Sequence, residues 1–172
     1  MRRIVSVWPP DWPVTVWSRT AGRSPPPEDT PFALIERGPR GLSLHALNAA
    51  ARKLGLYAGQ SHADAKAAVP GLVSVPAEED RDRAALESLA LWAERYSPLV
   101  ATEHAMPGME GLLIDMTGGA HMFGGEAALL ADLRKRLADM DVPARCAIAD
   151  TAGAAWALAR YSGVREAVAP PE

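Results

Sequence analysis

Residues 111–125 read GLLIDMTGGAHMFGG, an apolar run that ends in Asp115 and then breaks at two glycine pairs. Short, branched and carrying a single acid, the run has the pattern of a central strand buried on both faces. The glycines let the chain leave that strand and enter a helix near Gly125, with Phe123 as the hydrophobic staple at its start. They lack the Gly-Lys-Ser or Gly-Lys-Thr ending of a phosphate loop, and Gly-x-Gly-x-x-Gly occurs nowhere in the chain.

Downstream, GGEAALLADLRKRLADM is amphipathic, VPARCAIAD reads as a strand, and DTAGAAWALARYSG as a closing helix capped by Asp150 or Thr151. Upstream, LVATEHAM is a strand. Before it, VPAEEDRDRAALESLALWAERYSP is a helix with acids in its first turn, one face of Ala85, Leu89, Trp92 and Tyr96, and a stop at Pro98. RIVSVW, residues 3–8, is a β-branched strand halted by Pro9 and Pro10. With residues 15–76 set aside, the order is strand, helix, strand, strand, helix, strand, helix. That is an α/β (α+β) fold with a ferredoxin-like βαββαβ core and an inserted lobe.

Within the lobe, FALIERG and GLSLHALN flank a glycine and proline turn and form a hairpin. NAAARKLGLYAG is a short helix with Asn48 as cap and Gly55 near its end, and Ser61 caps a second helix with Asp64 three positions on. VTVWSRT either starts a helix or extends the chain, and residues 24–30 are a loop.

With 172 residues, 48% of them apolar, the chain can bury a full core. A net charge of −3 excludes a domain that grips phosphates over a broad surface, so DNA contact is expected to be weak or indirect. No stretch approaches the ~20 apolar residues of a membrane span. MRRIVSVWPP is not a secretory leader either, and a cytoplasmic protein without membrane contact is expected. The single cysteine, Cys146, lies in an apolar strand and reads as a buried structural thiol. His45, His62, His104 and His121 are scattered without zinc-ligand spacing, and no Gly-x-Ser-x-Gly elbow is present. Trp92 and Trp156 lie on helix faces and read as core. Trp8, Trp12 and Trp17 surround the proline turn as a plug or a partner patch.

Five anchors now fall in one order: NAAAR at 48–52, LGLYAGQSHADAKAAVPGLVSVP at 54–76, RYSPLVA at 95–101, IDMTGGAHMFGG at 114–125 and AIADTAGAAWALAR at 147–160. Together they resemble the palm and fingers of Y-family translesion DNA polymerases, most closely the polymerase-like proteins of ImuB type. The resemblance covers nearly the whole chain and implies a palm of residues 1–14 and 77–172, with a fingers insertion of 15–76. In active members of such a family, carboxylates at the end of the first strand and at the neighbouring strand pair hold two Mg²⁺ ions. The family's Asp-x-Asp falls here on Trp8 and Pro10, and its following aromatic pair on Trp12 and Pro13. Neither an indole nor a pyrrolidine ring binds Mg²⁺. Asp11 is one position off, on a backbone stiffened by two prolines, and is either a displaced ligand or a turn-capping acid.

The family's second acidic element, Asp-Glu, falls on Glu110 and Gly111 counting back from Asp115, or on Met106 and Pro107 counting forward from RYSPLV. It is broken in both registers, and Glu110 alone would hold Mg²⁺ weakly. Asp115 reads as a structural acid facing a turn. Of the tyrosine and arginine that hold an incoming triphosphate in the family, the first is Ala49 and the second survives as Arg52, which either touches a phosphate or is an exposed helix arginine.

The resemblance thus implies a catalytically inactive polymerase-like scaffold of SOS-type translesion synthesis and induced mutagenesis, with no metal cofactor unless the site is active. The implied partners are the mutasome proteins: a replicative-type translesion polymerase, a RecA-like accessory protein and the sliding clamp. They bind mainly through regions beyond APPE, so a fragment without thumb and little finger is expected. Two alternatives stand: an active Mg²⁺-dependent polymerase or nucleotidyltransferase using a rearranged Asp11, Glu110 and Asp115 site, and a ferredoxin-like interaction module unrelated to replication.

Overall fold

The computed structural model describes residues 2–104 and 109–171. In chain order the elements are β1 (Ile4–Trp8), α1 (Trp12–Arg19), β2 (Phe32–Gly38), β3 (Gly41–Leu47), α2 (Ala49–Lys53), α3 (His62–Ala68) and β4 (Val73–Pro76). There follow α4 (Glu79–Ala93), β5 (Val100–Glu103), β6 (Gly111–Asp115), a 3₁₀ turn at Ala120–Phe123, α5 (Glu126–Asp139), β7 (Arg145–Ala149), α6 (Ala152–Tyr161) and β8 (Glu166–Val168). They divide into two compact units, Met1–Pro10 with Arg83–Glu172, and Asp11–Asp82.

The first unit carries a sheet in the order β5-β6-β1-β7-β8. Its four leading strands pair antiparallel throughout, which is the ferredoxin-like arrangement expected from the sequence, and β8 adds a parallel edge to β7. Val5, Val7, Ile114 and Ile148 are completely buried, because a strand inside the sheet is covered on both faces. α5 packs on β7 and β8 through Leu129, Leu130, Leu133 and Leu137, none more than 1% exposed. Removing each such leucine from water contributes about 1.5–3 kcal/mol. α6 lies on β1 and β7, with Ala155 against Ile4 and Ala149. Its N-cap is Thr151, whose hydroxyl accepts from the Ala154 N–H at 3.1 Å.

Three details differ from the sequence reading. The buried face of α4 and the turn after it is Leu86, Leu89, Ala93 and Tyr96, rotated from the expected stripe, and the helix proper ends five residues before Pro98. Trp92 and Trp156 are half-buried rather than core. Each lies beneath an arginine, Arg95 at 4.7 Å and Arg160 at 4.4 Å, so an amphipathic ring covers the edge of the core instead of filling it. Third, a 3₁₀ turn precedes α5, and Phe123 packs at a tilt against Tyr96 with ring centroids 5.3 Å apart. The left-handed backbone at Gly118, Gly124 and Gly125 is what the glycine pairs supply.

The second unit has its own sheet, β3-β2-β4, with the expected hairpin between β2 and β3 and a parallel β4. β4 was not legible as a strand, being four residues long with a terminal proline at the sheet's edge. VTVWSRT resolves as part of α1, with Pro13 near its start, where the missing N–H costs nothing. Trp12 is 1% exposed and donates its indole N–H to the Asp82 carbonyl at 2.9 Å; Trp17 stacks on Phe32 at 4.8 Å. Trp12 is core of this unit, and Trp17 is a half-buried ring packed against the Phe32, Leu34 and Ala46 cluster. Asn48 and Ser61 cap α2 and α3 as expected.

Candidate functional site

The register Val7 opposite Leu112 sets the C-terminal end of β1 beside the start of β6, where Glu110 precedes the strand. Strand alternation puts Ile4, Ser6 and Trp8 on the face that α6 covers. From that helix Arg160, only 4% exposed, reaches into the end of the sheet. It donates to the Met109 carbonyl at 2.8 Å and approaches Ser6 Oγ and Glu103 Oε2, each at 3.5 Å. Its guanidinium stands 5.6 Å from the Trp8 ring centroid, and Arg145 reaches the same ring at 5.4 Å. Burial pushes the Glu103 carboxyl above its usual range while Arg160 pulls it back; burial likewise lowers Arg160, against the carboxylates of Glu103 and Glu110. Gly111 is the only residue type that fits there, since a Cβ would lie 2.6 Å from the Val7 carbonyl and 3.3 Å from Arg160.

The other acids stand elsewhere. Asp115 pairs with Ile4 at the opposite end of β1 from Trp8; it accepts from the Thr117 N–H at 3.0 Å and lies 3.8 Å from Arg2. The Thr117 hydrogen bonds hold its carboxyl below the usual range. Next to it Arg3, 6% exposed, is bound by Glu126 at 2.6 Å and Asp150 at 2.7 Å, a structural ion cluster. In the second unit Asp11 pairs with Arg52, which also donates to the Leu47 carbonyl at 2.7 Å. A cleft of about 680 Å³ beside α2 is lined by Ala49, Lys53, Glu28 and Asp29 but not by Arg52. Met106 and Pro107, the alternative positions of the acidic pair, lie outside the described residues.

Residues 17–160 match the family model described as the impB/mucB/samB family. The chain belongs to that family. Protein ImuB of Caulobacter vibrioides strain NA1000 / CB15N and that of strain ATCC 19089 / CIP 103742 / CB 15 are each 56% identical to it over 118 residues. That stretch is 69% of this chain and 25% of either relative, so the chain spans about a quarter of the curated relatives it matches. Among solved structures, the insertion ternary complex of Dbh DNA polymerase superposes with a TM-score of 0.79 at 16% identity, over 98% of this chain and 48% of that one. DinB from Sulfolobus solfataricus gives 0.76 at 17%, over 97% and 48%. The shared element is the fold of Y-family palm and fingers parts.

In this impB/mucB/samB member the end of β1 does not fit the paired Mg²⁺ ions that the fold family implies. Two divalent ions need several oxygen donors free to face them. Here an indole and a pyrrolidine ring occupy the first-strand positions, and a buried guanidinium already stands among the remaining carboxylates. Of the acids Asp11, Glu110 and Asp115, the last two belong to the first unit and Asp11 to the second. Asp115 is at the far end of β1 from Glu110, and Asp11 is bound to Arg52. Sequence reading passed over Arg160 and Glu103. An arginine at the end of an alanine-rich helix, otherwise apolar on the same face, was the available signal.

Proposed function

We propose that this chain is the palm and fingers part of a catalytically inactive, polymerase-like scaffold acting in DNA-damage-induced translesion synthesis. Support comes from family membership, from the likeness to protein ImuB of Caulobacter and, above all, from Arg160. A buried cation of the chain's own stands beside Glu103 and Glu110, next to the strand ends where the family resemblance implies the metal ligands of an active polymerase. A guanidinium cannot activate a hydroxyl or stabilise an in-line transition state as bridging metals do. The palm is then retained for shape, and the mutasome partners, a replicative-type translesion polymerase, a RecA-like accessory protein and the sliding clamp, bind mainly through regions outside these residues. Any hold on DNA is weak or indirect, in keeping with the net charge of −3.

The test uses the complete protein in its own host. Damage-induced mutation frequency should stay at the wild-type level when Glu110→Gln and Asp11→Ala are combined, and collapse when the gene is deleted. Loss of induced mutagenesis in the double variant, with the protein still present at normal abundance, would assign the acids a chemical role and overturn the scaffold.

A further inference from the structure

The inserted lobe gathers one histidine and two acids that sequence spacing leaves far apart. Glu36, His45 and Glu79 each offer a ligand atom, and these atoms all lie within 4.8 Å of one another. The cause is a register shift in the β2–β3 hairpin. Leu34 pairs with Ala46 and Ile35 with Leu44, so His45 is the extra, bulged residue. A bulge re-aims a side chain. Leu44 points into the core with Ala33, Leu47 and Leu72, whereas Ala46 packs on the other face with Phe32, Leu34, Val75 and Ala77. Glu36 continues the alternation of Phe32 and Leu34, and His45 meets it on that face, its Nδ1 3.0 Å from Glu36 Oε2. Glu79 arrives two residues beyond Ala77, at the first position of α4. His45 is 4% exposed and fixed by packing, while the neighbouring guanidiniums of Arg23 and Arg81 pair with Glu78.

We propose that Glu36, His45 and Glu79 bind one divalent transition-metal ion, zinc in the first instance, with water completing the shell. One imidazole and two carboxylates are a borderline donor set that suits zinc over calcium or magnesium. Ligand atoms around tetrahedral zinc stand about 3.4 Å apart for bonds near 2.1 Å. His45 Nδ1 and Glu36 Oε2, now 3.0 Å apart, would open by a few tenths of an ångström, and the exposed Glu79, within 4.8 Å, would close the site by a small rotamer change. The ion would tie β2, β3 and the start of α4 together, independent of any chemistry at the end of β1.

The test is Zn²⁺ titration of the metal-free chain against a chromophoric chelator, with circular dichroism on every variant. The wild type and a distant control, His121→Gln, should bind one equivalent with the same affinity. Glu79→Gln and His45→Gln should each weaken it at least about tenfold. Glu79 is exposed, so its variant stays folded even where the buried His45 variant does not. Failure of the wild type to take up an equivalent, or Glu79→Gln binding as tightly as wild type, overturns the site.

Discussion

Replacing Arg160 with methionine keeps most of the stem's apolar bulk and removes the guanidinium. The loss comprises a charged hydrogen bond to the Met109 carbonyl at 2.8 Å, two ring contacts and the cation facing Glu103. A hydrogen bond to a charged group contributes about 1.5–3 kcal/mol. Breaking a buried pair costs about 3–5 kcal/mol, and the low end applies because the Glu103 side chain keeps 24% exposure. These overlap, and the expected net loss is about 3–4 kcal/mol, a large share of the ~5–15 kcal/mol of an ordinary domain. Glu103 adds a pH signature. Its carboxyl is already raised by burial, and the variant removes the cation that restrained it. A folded-state value above the unfolded value of about 4.3 means that the folded state binds the extra proton. Stability therefore falls as pH rises through that window and recovers on acidification. Urea unfolding at pH 4.5 and pH 7 should show Arg160→Met destabilised more at pH 7, with Glu103→Gln in the same background recovering part of the loss. Wild-type stability for Arg160→Met, or an equal penalty at both pH values, would refute the reasoning.

Three further outcomes follow from the same geometry. Gly111→Ala, whose Cβ would meet the Val7 carbonyl at 2.6 Å, should destabilise by about 1–3 kcal/mol in chemical denaturation, although no left-handed backbone is involved. Asn48→Ala deletes a side chain that accepts from the Ala51 and Phe32 N–H groups and donates to the Thr30 carbonyl. It should cost about 2 kcal/mol, the top of the capping range, as a lowered thermal midpoint. The Cys146 thiol, 1% exposed and pushed by burial up to about 12, should resist a disulfide-exchange reagent at pH 8 in the folded chain and react at once in denaturant.

The palm topology was readable because β1, β6, β7 and α5 carry long, consistent apolar patterns, and because capping residues such as Asn48, Ser61 and Thr151 mark helix starts by their own hydrogen bonds. What escaped depends on contacts between distant segments. Trp12 and Trp17 looked like neighbours of Trp8 because they are near it in sequence, yet they belong with their partners, Asp82 and Phe32, to the second unit. The role of Asp115 turned on strand register, since the Ile4 end of β1 lies beside Thr117 and the Trp8 end faces Arg160. His45 gained its neighbours from a bulge, which leaves no mark in side-chain spacing. No helix among the described residues is long and apolar enough to cross a membrane.

In the proposed scaffold, Trp8, Pro10 and the internal Arg160 guanidinium leave no place for metal-dependent nucleotide joining at the end of β1. Single-nucleotide primer extension by the complete protein, with Mg²⁺ and again with Mn²⁺, addresses it directly. Incorporation should not rise above the protein-free control, and Glu110→Gln should change nothing. Extension by the purified wild type that disappears in Glu110→Gln would contradict the account.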